Sequence, residues 1–199
     1  MATTKGQRTR ARMLDAAAGR LHRRGYHATG VNDVLADAEA PRGSLYFHFP
    51  GGKEQLAAEA VTIAAAALGA RLAALVAAEA DPVEATRAVI ALLGEQLAAS
   101  DYEKGCPVAT VALELTAGQE QLQQACAEAY ASWEALVTDL LRRSGHAEPE
   151  ARERATVVLA AIEGALVLAR AYRSRQPLER LAAAVPTLLA VPTLLGGAA

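Results

Sequence analysis

The chain has 199 residues, of which 52% are hydrophobic and 21% are charged, and its formal net charge at pH 7 is −2. This balance excludes a disordered chain, and the length allows a small domain beside a larger one with its own core. The charge is unevenly divided: residues 1–53 contain nine Lys and Arg against four Asp and Glu, whereas residues 54–199 contain eleven against eighteen. A basic segment of this kind is typical of a domain that binds nucleic acid.

Apolar residues recur at helical spacing along the chain and alanine is abundant, which predicts an all-α fold. The first helix should span residues 5–24 and end at Gly25, because glycine readily adopts the left-handed conformation that terminates helices. Thr29 or Gly30 should cap a second, short helix. A third helix should begin at Pro41. The N–H of the first helical residue has no partner within the helix, so proline, which lacks an N–H, loses no hydrogen bond there. Two short helices joined by a tight turn form a helix-turn-helix unit, whose second helix enters the DNA major groove.

The third predicted helix has an apolar face and an outward face. Leu45 and Phe49, four residues apart, should anchor it on the core. The Arg42 guanidinium matches the O6 and N7 acceptors of guanine, and Gly43 lets the helix backbone approach the duplex. The outward face comprises Arg42, Gly43, Ser44, Tyr46, Phe47 and His48. The alternative is that these are ordinary surface residues of a helical hairpin.

A basic arm precedes the first predicted helix and either reaches DNA phosphates or is a solvated tail. Its members are Lys5, Arg8, Arg10 and Arg12.

Residues 29–53, and above all the run Leu45-Tyr46-Phe47-His48-Phe49, closely resemble the DNA-binding motif of TetR-family transcriptional regulators. The resemblance implies that Tyr46 and His48 contact phosphates. Lys53 would add positive charge at the start of the next helix, where N–H groups are unpaired. The expected DNA-binding residues are therefore Thr29, Arg42, Gly43, Ser44, Tyr46, Phe47, His48 and Lys53.

Glu39 departs from the family pattern, which usually has glycine at this position of the turn. An L-residue in a left-handed conformation costs about 1 kcal/mol, and a negative charge near DNA should reduce affinity. This departure affects the expected geometry of the turn, but the helix-turn-helix motif is still predicted.

Proline, glycine and aspartate divide the rest of the chain into further predicted helices. Their approximate ranges are 53–79, 82–100, a short helix ending near 115, 120–143, 149–176 and a last helix from Pro177. Residues 181–199 are uncharged, but Pro186 and Pro192 should kink or break a helix there, so we expect a partner-facing helix and no membrane span. The expected domains are a three-helix DNA-binding domain at 1–52 and a helical ligand-binding and dimerisation domain at 53–199.

The second domain has side chains suited either to a core or to a ligand pocket. Four of them share one face of the helix predicted at 120–143: Cys126, Tyr130, Trp133 and Val137. Glu163 interrupts a stretch, 155–169, that is apolar nearly all round, as expected if the helix meets both its own core and a second subunit. Its carboxylate is either a structural hydrogen-bond acceptor or a ligand group. The candidate ligand-binding residues are Tyr102, Cys106, Tyr130, Trp133 and Glu163.

Residues 50–56 and 105–114 are similar to the LmrA/YxaF-like subgroup of the TetR family. The resemblance implies a homodimeric repressor that binds a palindromic operator in double-stranded DNA. A hydrophobic small-molecule inducer, drug-like or flavonoid-like, would release it by favouring a conformation in which the two recognition helices are wrongly spaced.

Other functional classes receive less support from the residues. An enzyme is not expected, because residues 53–199 contain one histidine, no metal-ligand cluster and no nucleophile–base spacing; no cofactor is expected either. A structural DNA-binding protein without a ligand stays open. The absence of a signal segment and the presence of only two cysteines predict a cytoplasmic protein with reduced thiols, although a redox role for Cys106 and Cys126 also stays open.

Overall fold

A computed structural model describes residues 4–190, and this part of the chain forms nine α-helices and no β-strand. The helices are α1 (Lys5–Arg24), α2 (Val31–Asp37), α3 (Ser44–His48), α4 (Gly52–Ala78), α5 (Pro82–Ala99), α6 (Ala109–Ala112), α7 (Glu120–Arg143), α8 (Glu148–Tyr172) and α9 (Gln176–Leu189). The predicted all-α class is confirmed. The observed bounds of α1 and α7 are the predicted ones.

Helix α1 begins and ends as its sequence indicates. The Thr4 hydroxyl accepts the Gln7 N–H and the Gln7 amide oxygen accepts the Thr4 N–H, so two N–H groups that lack helical partners are satisfied. At the other end Gly25 has φ 75°, which any other residue would adopt only with strain. One face of α1 is buried against the rest of the domain, through Met13, Leu14, Ala17 and Leu21.

Two boundaries in the helix-turn-helix unit are settled by the structure. Gly30 is the N-cap of α2. Helix α3 begins at Ser44, so the prediction that Pro41 occupies its first position is wrong. Pro41 instead opens a turn, in which its carbonyl oxygen accepts the Ser44 N–H at 2.9 Å. Arg42 and Gly43 therefore lie in this turn, directly before the recognition helix α3.

The turn between α2 and α3 contains Glu39 in the left-handed region, with φ 48°. Arg12 lies beside it: one guanidinium nitrogen is 3.9 Å from the Glu39 carboxylate, and another donates to its carbonyl oxygen at 3.4 Å. The geometry is the one that a glycine would adopt without strain, and the negative charge has a cationic neighbour.

Helix α4 connects the helix-turn-helix unit with the rest of the molecule. It packs on α1 and α3 and also on α5 and α7. Helix α7 packs on α8, and α9 lies against α5 and α8. One continuous hydrophobic core results, extending from Met13 in α1 to Leu189 in α9.

Helix α9 continues through Pro186, so this proline does not break the helix. Proline removes a helical hydrogen bond to the carbonyl four residues earlier. Here the Arg87 Nε donates to the Ala182 carbonyl oxygen at 3.1 Å and supplies a replacement donor. The second proline of the prediction, Pro192, lies outside the described residues.

Two helices, α4 and α8, are long and apolar enough to cross a membrane by length and composition. In each of these helices, 33% of the apolar 18-residue stretch is buried within the described part of the chain. Core helices of soluble proteins share these properties, so the feature is weak support for a membrane span.

Candidate DNA-binding surface and ligand cavity

The recognition helix α3 presents two aromatic side chains to solvent. Tyr46 is 71% exposed and Phe47 81% exposed, whereas Leu45 and Phe49 are buried and hold the helix on the core, as predicted. Such exposure of large aromatic side chains is unusual unless they meet a partner. In the preceding turn Arg42 and Gly43 are also exposed.

Nothing in the fold requires glycine at position 43. A Cβ atom built there would meet no atom within 4 Å. The position is open on its outer side, which suits close approach of a second molecule.

Three other predicted DNA-binding residues also contact their own domain. The Ser44 hydroxyl donates to the Pro41 carbonyl oxygen at 2.6 Å, and the His48 ring packs edge-on against Phe47 with 4.9 Å between ring centroids. The Lys53 ammonium lies 4.3 Å from the centroid of the Tyr26 ring. Burial lowers the pKa of Lys53 below its ordinary value. Lys53 is therefore half-buried at the edge of the exposed surface.

Thr29 does not belong to this surface. Its side chain is 4% exposed, and its hydroxyl donates to the Gly25 carbonyl oxygen at 2.6 Å. The predicted contact with DNA is therefore corrected to a structural role: Thr29 ties the loop between α1 and α2 to the end of α1.

The predicted basic arm forms the first turns of α1 and is not a separate tail, since α1 begins at Lys5. Arg10 forms an ion pair with Glu59 of α4 and lies over the Phe49 ring, 4.8 Å from its centroid. The N-terminal turns of α1 are thus attached both to α4 and to the core beneath α3.

A narrow apolar cavity lies in the body between α4, α5, α7 and α8. Its volume is about 50 Å³. Its wall is made of Leu68, Leu72, Val76, Val89, Leu93, Cys106, Trp133, Leu136, Val137, Leu159, Ile162, Glu163 and Leu166. Most of these are aliphatic residues from α4, α5 and α8, which sequence reasoning did not single out because they look like ordinary core.

Trp133 is both a core residue and part of the cavity wall. It is 3% exposed, and its indole N–H donates to the Ala65 carbonyl oxygen of α4 at 3.3 Å. Gly69 makes room for the indole, since a Cβ atom there would lie 3.1 Å from the indole nitrogen. Tyr130 packs edge-on against Trp133, with 5.8 Å between ring centroids, and lies behind the wall.

Glu163 is the acidic residue of the wall. Burial raises the pKa of its carboxyl group, and a hydrogen bond with the Cys106 side chain opposes that shift. Its Oε2 atom is buried and has no hydrogen-bond partner among the described residues. Burial also raises the pKa of the Tyr130 phenol, and neighbouring Cys106 and Glu163 act in the same direction.

The five candidate ligand-binding residues are thus only partly brought together. Cys106, Trp133 and Glu163 line the cavity, and Tyr130 adjoins it. Tyr102 lies apart from the cavity: the Arg173 guanidinium is 5.8 Å from its ring centroid. The Tyr102 backbone is in the left-handed region, with φ 61°, and its ring packs partly buried against the hydrophobic core.

An open groove runs along the outside of the same wall. Its volume is about 330 Å³, and it lies between the end of α1, the segment 105–114 and α8. Cys106, Glu163 and Leu166 line both the groove and the inner cavity. These three residues therefore separate the cavity from solvent.

The segment 105–114 also attaches the body to the helix-turn-helix unit. The His22 ring hydrogen-bonds the Gly105 carbonyl oxygen at 2.5 Å, and the Glu114 carboxylate accepts the His27 N–H at 2.7 Å. Glu114 lies so close to Gly25 that a Cβ atom there would be 1.9 Å from its carboxylate oxygen. Sequence reasoning missed these contacts, since the partners are more than 80 residues apart.

The two cysteines are unpaired and buried. Burial raises the pKa of Cys126 to about 11 and that of Cys106 well above its ordinary value. Neither thiol is stabilised as the reactive thiolate, so the structure gives no support to a redox switch. Within the described residues there is also no cluster of three or more His, Cys, Asp or Glu side chains that could hold a metal ion.

A three-helix unit with an exposed recognition helix, joined to a helical body with an internal cavity, is the architecture of a helix-turn-helix transcriptional regulator. Two family models match the chain: "Bacterial regulatory proteins, tetR family" over residues 13–60 and "Transcriptional regulator LmrA/YxaF-like, C-terminal domain" over residues 82–184. The chain belongs to the TetR family of transcriptional regulators, and its C-terminal domain is of the LmrA/YxaF-like kind.

Sequence relatives support this assignment over nearly the full length. The chain is 38% identical over 181 residues to the transcriptional regulator LmrA of Bacillus subtilis, covering 91% of this chain and 96% of the relative. It is 35% identical over 187 residues to the uncharacterised regulator YxaF of the same organism, covering 94% and 97%. These relatives are named as transcriptional regulators and not as enzymes.

Solved structures share the fold. The reduced form of Escherichia coli NemR superposes with a TM-score of 0.80 at 26% identity, covering 92% of this chain and 99% of that one. A TetR regulator from Chloroflexus aurantiacus superposes with a TM-score of 0.77 at 29% identity, covering 92% and 94%.

Proposed function

We propose that this regulator is a cytoplasmic repressor, active as a homodimer, that binds a palindromic operator and is released from it by a hydrophobic small molecule. Residues 1–52 would bind DNA, and residues 53–199 would bind the ligand and form the dimer. The observation that carries the proposal is the position of the cavity wall. Cys106 separates the cavity from solvent, and the carbonyl oxygen of the preceding Gly105 is hydrogen-bonded to His22 of α1.

The exposed surface of α3 supports the DNA-binding half. Arg42 precedes α3 and would suit guanine recognition, while Tyr46, Phe47 and His48 on α3 would meet the sugar-phosphate backbone and base edges. Lys53 and the N-terminus of α4 add positive potential at the edge of this surface. Ser44 holds the turn, and because its hydroxyl donates to the Pro41 carbonyl oxygen it would meet DNA only as an acceptor.

An apolar stripe on the last two helices supports the dimer. On α8 the exposed residues include Val157, Ala160, Gly164, Val167 and Leu168, and on α9 they include Ala183, Pro186 and Thr187. Helices with a second apolar face pack against another subunit. TetR-family regulators form homodimers and bind operator DNA. A two-fold axis would place the recognition helices roughly 34–36 Å apart, one turn of DNA.

Binding of a ligand in the apolar cavity would require its walls to move. The cavity volume of about 50 Å³ is well below the roughly 300–1,000 Å³ of pockets that hold drug-sized ligands. A ligand therefore enters only if α4, α7 or α8 moves outward. Helix α4 begins beside α3 and lines the cavity at Leu68 and Leu72, so an outward shift of α4 would alter the spacing of the recognition helices.

The segment 105–114 offers a second route for the same signal. Cys106 is in the cavity wall, and the neighbouring Gly105 carbonyl oxygen is bonded to His22 of α1. Displacement of Cys106 by a ligand would strain that bond. To shift operator occupancy, the ligand must prefer the displaced state, typically by about 1–3 kcal/mol.

The experiment has two stages. Footprinting on promoter fragments, including the protein's own promoter, identifies the protected palindrome. A panel of hydrophobic compounds is then tested both for thermal stabilisation of the protein and for release of that fragment. Compounds that stabilise the protein and release DNA at the same concentrations support the proposal.

The rival function is a structural DNA-binding protein without a ligand, which the narrowness of the cavity favours. It predicts tight binding of DNA with neither stabilisation nor release by any compound of the panel. Absence of a protected site on any fragment would contradict both functions.

A further inference from the structure

We infer that the cavity takes a lipophilic amine, a ligand with an apolar body and one protonated nitrogen that pairs with the Glu163 carboxylate. This inference rests on the proposed function and specifies the chemical class of the inducer.

Glu163 brings an acidic group into a wall that is otherwise almost entirely aliphatic. Its Oε2 atom is buried without a hydrogen-bond partner among the described residues, although buried polar groups nearly always have one. No Lys, Arg or His side chain is among the residues that line the cavity within the described part of the chain. The protein therefore supplies an acceptor here and no matching cation.

The other polar groups of the wall are already engaged. The Trp133 N–H donates to the Ala65 carbonyl oxygen at 3.3 Å, and the Cys106 sulfur accepts the Ala109 N–H at 3.4 Å. When Glu163 is ionised, its buried Oε2 atom is an acceptor without a partner among the described residues. A ligand must bring a donor to satisfy it, and a ligand carrying a carboxylate or phosphate would be repelled.

A charged donor fits better than a neutral one for an energetic reason. Burial raises the pKa of the Glu163 carboxyl group, and a cation bound beside it would favour the ionised form. The hydrogen bond of a cation to an ionised carboxylate is about twice as strong as a neutral one. The flat Trp133 ring in the same wall would attract a cation further.

Glu163 connects the inner cavity with the outer groove. It lines both of them, together with Cys106 and Leu166. The groove also contains Arg23, Arg24 and Arg170, which would repel an amine. The pairing is therefore expected on the cavity side of the Glu163 carboxylate, where no cationic side chain of the described residues lines the wall.

The test uses three probes of similar shape: phenylbutylamine, phenylbutanol and phenylbutyrate. Their binding to the full-length protein is followed by the fluorescence of Trp133, the single tryptophan, and independently by calorimetry. The variant is Glu163→Gln, which keeps size and hydrogen bonding but removes the charge. The matched control is Glu153→Gln, an exposed residue of the same helix that lies outside the cavity wall.

We expect the parent to bind the amine more tightly than the alcohol and the carboxylate most weakly. Glu163→Gln should weaken the amine about 10- to 100-fold, the range for hydrogen bonds to charged groups, and leave the alcohol nearly unchanged. Glu153→Gln should behave like the parent.

Equal affinity for amine and alcohol in the parent overturns the inference, and so does an equal effect of Glu163→Gln on both probes. In those cases a hydrophobic ligand still binds and the proposed function survives. Failure of all three probes to bind would count against this inference and against the ligand-binding half of the proposed function together.

Discussion

Filling the cavity should stabilise the protein and abolish its response to ligand. Val137 lines the cavity from α7, and Val137→Phe adds apolar volume there. At about 24 cal/mol per Å³ of cavity, complete filling of the observed 50 Å³ would contribute about 1.2 kcal/mol. For a chain of this size that is a rise in Tm of roughly 2–5 °C. It is an upper limit, because a tight fit strains neighbouring rotamers.

Val137→Ala is the matched opposite. It enlarges the cavity and should destabilise the fold by about 1–2 kcal/mol, while leaving room for a ligand. Both variants are compared with the parent by thermal unfolding at one protein concentration, by operator affinity, and by the inducer concentration that releases half of the DNA.

If the inducer occupies this cavity, Val137→Phe should bind the operator like the parent, and its release should need at least tenfold more inducer. If it is released at the parent's inducer concentration, the inducer binds elsewhere and the cavity is plain core. A fall in Tm with both variants would show instead that the site is already packed without usable space.

Three other variants test separate parts of the molecule. Arg42→Ala should weaken the specific operator by about 1–3 kcal/mol and relax sequence preference; unchanged discrimination between operator and mutated sites would remove Arg42 from base reading. Glu39→Gly should raise the free energy of unfolding by about 1 kcal/mol, because glycine adopts a φ of 48° without strain. Glu39→Ala keeps the strain, so equal thermal shifts for the two variants would show that the backbone at position 39 is not strained. Val167→Arg places a charge in the exposed stripe of α8 and should weaken the dimer about 100-fold or more; Leu166, its neighbour, is buried in the chain's own core and would test folding instead. Sedimentation showing an intact dimer would move the interface elsewhere.

The sequence alone determined what depends on neighbouring residues. The bounds of α1 followed from its helical spacing and a terminal glycine, and the anchoring of α3 followed from the spacing of Leu45 and Phe49. The left-handed turn at Glu39 followed from the resemblance to the TetR-family motif, which usually has glycine at this position. Helical periodicity and caps act within one or two turns of chain, so they can be read without a partner.

Only the tertiary structure decided which side chains share a cavity and which polar groups are satisfied. Trp133 and Glu163 meet in one wall, whereas Tyr102 is not part of it and lies beside Arg173. Pro186 is tolerated because a distant arginine replaces the lost donor. The links between His22 and the segment 105–114 also join residues more than 80 positions apart. Such outcomes depend on how whole helices pack, and the 3.6-residue pattern of each helix specifies a buried face but not the helix that covers it.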